Sequence, residues 1–376
     1  MSQYGRTQIV ISAVNIRRGG TLTVLRECLQ YLSGRQDLRV TALVHKQSLC
    51  DYPGIRYIEI PWSIQSWPKR LKCEYRTMRE ISEQVPETDL WLSLHDTTPN
   101  VKAKRQAVYC QTSFPFLKVK LRDFRMNKKI PLFALLTKYA YRKNVHRNDF
   151  LIVQQNWLRE GLSKMLHVEK KRFIVAPPGF LPPTILDTTS PDTKPLLFVF
   201  PAISDCHKNF ETVCEAAELL EKKFGTGVIR VLLTIKGDEN RYARWLYRRW
   251  GHVSSIDFHG YLSKEELYDF YGKAACLLFP SRVETWGLPI SEFKPTGKPM
   301  ILADLPYAHE TAAGADKVAF VPACDARAWA KQMELVIRGK SSNFVRIMPI
   351  QYEAPYAPTW EALFNLLLSD ENTSTR

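Results

Sequence analysis

Two doubly wound α/β domains are predicted for this chain, each a largely parallel sheet with helices on both faces. Three observations predict them. The 376 residues exceed the usual span of one domain. Short β-branched or aromatic runs alternate with longer segments of helical period from the start of the chain. After Pro177-Pro178-Gly179 the same rhythm begins again.

In chain order, strands are expected over residues 8–14, 40–45, 56–60, 89–94, 106–111 and 150–154. A second set is expected over 196–201, 228–236, 255–260, 275–280, 299–302 and 318–321. Among the intervening helices, Phe210, Val213, Cys214, Ala217 and Leu220 give the clearest apolar stripe at three-to-four spacing. The stretch 177–195 is rich in Pro and Thr and lacks periodicity, so the domains divide at about 180, into 1–179 and 180–355.

Hydrophobic residues at 45% and charged residues at 24% are globular values that exclude disorder, collagen-like repeats and coiled coils. No apolar run approaches the roughly 20 residues that span a bilayer, and no signal-type segment precedes the first strand, so a cytoplasmic location is expected. The eight cysteines form no CxxC pair and sit mostly in apolar segments, as reduced structural cysteines do; no metal site is read there. The net charge is +15, and residues 102–147 hold thirteen Lys or Arg against the single acid Asp123. Such a patch attracts nucleic acid, an anionic membrane or a phosphorylated acceptor alike.

Ligands of doubly wound sheets bind beyond the carboxyl ends of the strands, where helix N-termini offer free N–H groups to phosphate. After the first strand, Gly19 and Gly20 lead into a helix with Thr21 as a cap; a tight turn without ligand reads equally well. The strand 275–280 runs into Ser281-Arg282-Val283-Glu284-Thr285-Trp286-Gly287-Leu288-Pro289-Ile290-Ser291-Glu292. Gly287 permits an unusual backbone angle, Leu288-Pro289 opens a helix, and Glu292 falls about two turns into it. A carboxylate there can accept paired sugar hydroxyls, while Glu284 reaches the sugar end of the same ligand; solvated surface acids are the competing reading. In the loop after 196–201, Lys208 can place a charge on a diphosphate and Asn209 can cap a helix. Gly237, Gly260 and Tyr261 end strands where a base or phosphate can come close, although turns alone explain them better.

Together these residues resemble the retaining glycosyltransferases of family 4, with two Rossmann-like domains facing across a cleft. The resemblance rests on Lys208-Asn209, on Gly260, and above all on Phe279-Pro280-Ser281 followed by Glu284 to Glu292, the E-x7-E signature. It covers residues 196–337 well and the first half more loosely. The resemblance implies that Thr359-Trp360-Glu361 open a terminal helix returning to the first domain, giving 356–376 as a third segment. It implies a nucleotide-diphosphate sugar as substrate, with Glu284 beside the transferred sugar, Glu292 on the ribose, and Lys208 on the diphosphate. Trp286, Gly287 and Leu288 would form the same donor site. No Asp-x-Asp is present to hold a metal, so metal-independent transfer without a cofactor is expected.

Two positions depart from the family pattern. No Arg precedes Lys208 within residues 201–206, and Gln111 stands where many members have a His near the sugar; His95 is the other candidate for that place. Phe116, Lys118, Lys120 and Arg122 mix apolar and cationic groups as interfacial segments do. With the resemblance they imply a lipid-linked saccharide acceptor in O-antigen or capsule assembly, at the inner face of the membrane. The rival readings are a nucleic-acid binder, for which no recognised module is found, a non-catalytic sugar-nucleotide binder, an epimerase of the same fold, and a hydrolase with Glu284 and Glu292 as its carboxylates.

Overall fold

The computed structural model describes residues 6–85, 87–179, 194–340 and 344–369. Met1–Thr112, Leu136–Gly179 and Tyr352–Arg376 make one compact unit; Ser113–Leu135 and Phe180–Gln351 make the other.

The first unit carries strands β1 (Thr7–Ala13), β2 (Leu38–Val44), β3 (Ile55–Glu59), β4 (Leu90–Ser93), β5 (Arg105–Cys110), β6 (Phe150–Val153) and β7 (Phe173–Val175). Their order is β3-β2-β1-β4-β5-β6-β7, with every pair parallel. Successive side chains of a strand point to opposite faces, and β1 shows the consequence. Ile9 and Ile11 join Leu25, Leu29 and Phe364 on one side, while Val10 joins Met78 and Trp91 on the other. A sheet buried on both faces needs continuous apolar runs rather than alternation, which is why its strands are legible.

β7 is not among the sequence-expected strands. It is three residues long, and its outer edge is completed from far away: Val175 donates to the Pro355 carbonyl at 3.0 Å and accepts from the Ala357 amide at 2.9 Å. The helix Trp360–Leu368 follows, capped by the Thr359 hydroxyl, and buries Leu363, Phe364 and Leu367 in the core of this unit. Phe364 stacks on Tyr31 with centroids 5.6 Å apart.

The second unit carries β8 (Leu196–Phe200), β9 (Ile229–Leu233), β10 (Ile256–Phe258), β11 (Cys276–Phe279), β12 (Met300–Ala303) and β13 (Val318–Val321), in the order β10-β9-β8-β11-β12-β13 and all parallel. The helix Phe210–Phe224 buries the expected stripe and stops at Gly225, whose φ of 82° continues no right-handed helix.

Residues 113–135 were expected in the first domain, and the structure packs them with the second. Asp123, fully buried, accepts from the Arg282 guanidinium at 2.7 Å; Arg122 pairs with Glu211; and the Phe114 ring meets His207 edge-on at 5.0 Å. No local pattern announces this, because Asp123 and Arg282 lie 159 residues apart. Seven cysteines are buried thiols and Cys324 is exposed. Among the described residues no helix is long and apolar enough to cross a membrane, and no group of three or more His, Cys, Asp or Glu is placed to hold a metal ion.

Candidate functional site

In an open parallel sheet the connections on either side of a reversal of strand order diverge, and the gap between them is where ligands bind. In the second unit the reversal falls between β8 and β11. The loops leaving those two strands carry Lys208 and Glu284, and the structure brings the two side chains together: Lys208 Nζ lies 2.5 Å from Glu284 Oε1, each side chain 14% exposed. A pair this accessible can exchange partners with an incoming anion, whereas a fully buried one cannot.

The backbone around the pair is specified locally. Gly287 has φ 89° and ψ 59°. A Cβ there would sit 3.3 Å from both Phe279 Cε1 and Ile290 Cδ1. Glycine is therefore favoured by conformation, and the space for a Cβ is tight. Leu288–Phe293 then forms a helix with Pro at its start. This helix has six residues, so Glu292 lies little more than one turn in, a correction to the two turns expected. Burial pushes the Glu292 carboxyl upward, and the Tyr271 hydroxyl donates to it at 3.3 Å. The Trp286 indole N–H donates to Ser291 Oγ at 2.9 Å, fixing the turn. Tyr307 supports it from below, donating to the Ser281 carbonyl at 2.8 Å.

Asn209 stands at the N-cap of helix Phe210–Phe224 as expected, but its side chain makes no capping hydrogen bond and is used elsewhere. It adopts the left-handed conformation (φ 65°), which asparagine tolerates, and is fully buried. Its amide donates to the Pro280 and Ala323 carbonyls, tying together the loops after β8, β11 and β13, while its oxygen accepts from Thr212. Asn209 thus sets where Lys208 stands. Gly237 is likewise explained without a ligand, since a Cβ would fall 2.6 Å from Tyr247 Cβ. At Gly260 a Cβ would meet Lys236 Cγ at 3.2 Å, and Tyr261 is solvent-exposed.

In the first unit the reversal falls between β1 and β4. Gly19, with φ 70° and open space around it, and Gly20 begin the exposed end of helix Gly19–Ser33 beyond β1. Thr21 does not cap this helix, as was expected; Arg18 is its N-cap, and the Thr21 hydroxyl donates to the Arg18 carbonyl. His95 follows β4 but is buried, which corrects its candidacy as a catalytic group. Its ring lies 3.1 Å from Ser12 Oγ and 3.2 Å from both Ser93 Oγ and Thr97 Oγ1. Burial and the nearby Arg70 hold its pKa well below the ordinary value, so it is a neutral structural imidazole. Gln111 is also buried, its side-chain amide committed to the Leu94 carbonyl at 2.7 Å.

Beside them is a residue that sequence reasoning passed over. Asp96, at φ 69°, accepts the Gln111 and Thr112 backbone amides at 2.5 and 2.9 Å, and retains some surface. Enclosure by protein lifts its carboxyl to about 6 despite those donors and Arg70. The signal was its position three residues past the end of β4 at a reversal, in a side-chain type that accepts a left-handed backbone. A carboxyl raised on folding favours the folded state below the unfolded pKa, and that contribution is lost as pH rises through about 6. Asp96→Asn is therefore expected to raise the melting temperature at pH 7 and leave it unchanged near pH 4. An equal shift at both values would show that the carboxyl does not titrate in this range.

Of the residues expected to face a membrane, Lys118 and Lys120 are exposed, Lys120 lying 2.9 Å from Cys324 Sγ. Phe116 is half-buried, and Arg122, also half-buried, pairs with Glu211 and lies over the Trp245 ring at 5.5 Å.

Residues 184–346 match the family model described as glycosyl transferases group 1. No curated protein matches the sequence. Solved structures resemble the whole fold. The lipopolysaccharide outer core galactosyltransferase WaaB, in apo form, superposes with a TM-score of 0.61 at 11% identity over 89% of this chain and 91% of its own. Anabaena Alr3699/HepE in complex with UDP and glucose gives 0.59 at 12% identity over 90% and 92%. WaaG, a glycosyltransferase involved in lipopolysaccharide biosynthesis, gives 0.59 at 15% over 89% and 93%. Residues 184–346 thus match a group 1 glycosyl transferase domain, and the fold, two Rossmann-like α/β domains, is the one seen in solved GT-B glycosyltransferases.

Proposed function

We propose that this protein is a retaining glycosyltransferase that moves a hexose from a nucleotide-diphosphate sugar to a lipid-linked saccharide acceptor in surface polysaccharide assembly. The observation that carries the reading is the Lys208–Glu284 pair at the strand-order reversal of the second sheet, beside the left-handed Gly287 turn. On donor binding, Lys208 turns to the diphosphate, whose leaving oxygen gains negative charge as the glycosidic bond breaks. Glu284, released from the ammonium, accepts from hydroxyls of the transferred sugar. Glu292 takes the ribose hydroxyls, and the residue roles need no metal or other cofactor. The UDP and glucose named for the HepE structure support a nucleotide-sugar donor, and the lipopolysaccharide roles named for WaaB and WaaG support a glycan acceptor at the membrane. The two exposed lysines Lys118 and Lys120 support a peripheral position on its cytoplasmic face.

One observation favours a non-catalytic sugar-nucleotide binder instead. Residues 201–206 contain no cation, and the guanidinium two residues before Glu284 is used by Asp123, leaving Lys208 as the cation at the pair. Thermal denaturation with UDP, GDP, dTDP, ADP and CMP, free and as sugar conjugates, tests both readings. A selective rise with one diphosphate is expected, about 2.7 kcal/mol of stabilisation at a hundredfold excess over Kd. That rise, with turnover once an acceptor is supplied, supports the transferase; a rise without turnover supports the binder; no rise removes the donor site. Glu292→Gln is expected to weaken the selected nucleotide about tenfold while changing kcat little, since one hydrogen bond to a charged group contributes about 1.5 kcal/mol. Equal loss in kcat would place Glu292 at the reacting centre.

A further inference from the structure

The helix Lys129–Arg142 is apolar on the side that should be polar. At about 100° per residue, Ile130, Ala134, Thr137 and Tyr141 share its buried face. Directly opposite, at the spacing i, i+3, i+4, i+7, stand Leu132, Leu135, Leu136 and Tyr139, which are 49, 50, 58 and 59% exposed. A helix at rest on a protein core presents polar side chains on that side, and contiguous apolar surface facing water marks a contact. Lys129 borders the stripe on one flank and Lys138 and Arg142 on the other, all exposed. Earlier in the same segment Leu121, 88% exposed, stands among Lys118, Lys120 and Arg125.

Charge decides what this face meets. Residues 118–147 hold ten Lys or Arg, and their one acid, Asp123, is buried against Arg282. A second copy docked symmetrically on the same face would oppose those cations to their own equivalents. An acidic lipid surface offers both hydrocarbon for the leucines and phosphate for the cations, with tyrosine at the depth where its amphipathic ring is stable.

We propose that the outward face of helix Lys129–Arg142 docks this protein on an anionic lipid bilayer, with Leu132, Leu135, Leu136 and Tyr139 entering the interface and the flanking cations on the headgroups. This deepens the reading of a lipid-linked acceptor, but the docking needs no transfer activity. It also moves the apolar anchor from Phe116, which is half-buried, to a helix the composition marked only as basic.

The full chain is mixed with vesicles of phosphatidylcholine and phosphatidylglycerol in equal parts, or of phosphatidylcholine alone, and sedimented. The wild type is expected to bind the anionic vesicles and not the neutral ones. The variant L132Q/L135Q/L136Q/Y139Q touches only exposed side chains, so its melting temperature should hold while its partition falls about tenfold or more. Absence of wild-type binding to anionic vesicles overturns the proposal, and so does equal binding by the variant. If the variant binds vesicles normally but sediments as a smaller particle in solution, the face joins copies of the chain instead. Nucleotide stabilisation is followed in parallel: vesicle binding without any nucleotide effect keeps the docking surface and sinks the transferase reading, and the converse does the reverse.

Discussion

Glu284→Ala is expected to lower turnover at least about a hundredfold, the usual effect of removing one polar group that meets charge or hydroxyls at the reacting centre. The substitution also frees Lys208, whose ammonium is held 2.5 Å from Glu284 Oε1 in the resting protein. A freed lysine competes less with its own carboxylate, so stabilisation by the nucleoside diphosphate should persist or increase. Loss of kcat with retained nucleotide binding is the signature of a group acting on the sugar. Glu284→Gln keeps the shape and can still accept one hydrogen bond, and should fall between the wild type and alanine. Turnover unchanged in both variants would remove Glu284 from the site, and loss of nucleotide binding in both would make the pair a structural clamp.

Asp123→Ala is expected to cost about 3–5 kcal/mol of stability, because it leaves the buried Arg282 guanidinium without its carboxylate. For a unit of this size that is a fall of roughly 10 °C in the midpoint of its thermal transition. Adding Arg282→Met removes the orphaned charge and should recover much of the loss, a coupling that a double-mutant cycle measures. Simple addition of the two single effects would show that the ion pair is not the cause. Arg282 also donates to the Lys118 and Cys206 carbonyls at 3.4 Å and lies two residues before Glu284, so Asp123→Ala should reduce turnover as well as stability.

These two residues also mark the limit of what could be read locally. Glu284, Gly287, Leu288 and Glu292 form one stretch whose geometry follows from neighbouring residues: glycine supplies the left-handed turn, proline the first helical turn, and spacing the placement of the acids. Lys208 could be placed in the loop after a strand from the apolar run before it. Asp123, by contrast, reads as the lone acid of a basic stretch, and nothing near it signals burial. His95 was legible as a histidine at a strand end. Its enclosure by Ser12, Ser93 and Thr97 depends on β1 lying beside β4, a pairing of strands separated by two others in sequence.

The sequence by itself determined the repeating βα order, the six strands of the second sheet and the acidic pair after β11, because hydrophobic period and turn chemistry act over a few residues. Only the tertiary structure decided that residues 113–135 belong with the second unit, that residues 355–357 complete the edge of β7, that Asn209 is a clamp and His95 a buried support, and that the outward face of helix Lys129–Arg142 is apolar. The first four of these rest on groups brought together across tens to hundreds of positions. Burial and partner then set whether a polar side chain meets solvent, and neither is encoded in the neighbours along the chain.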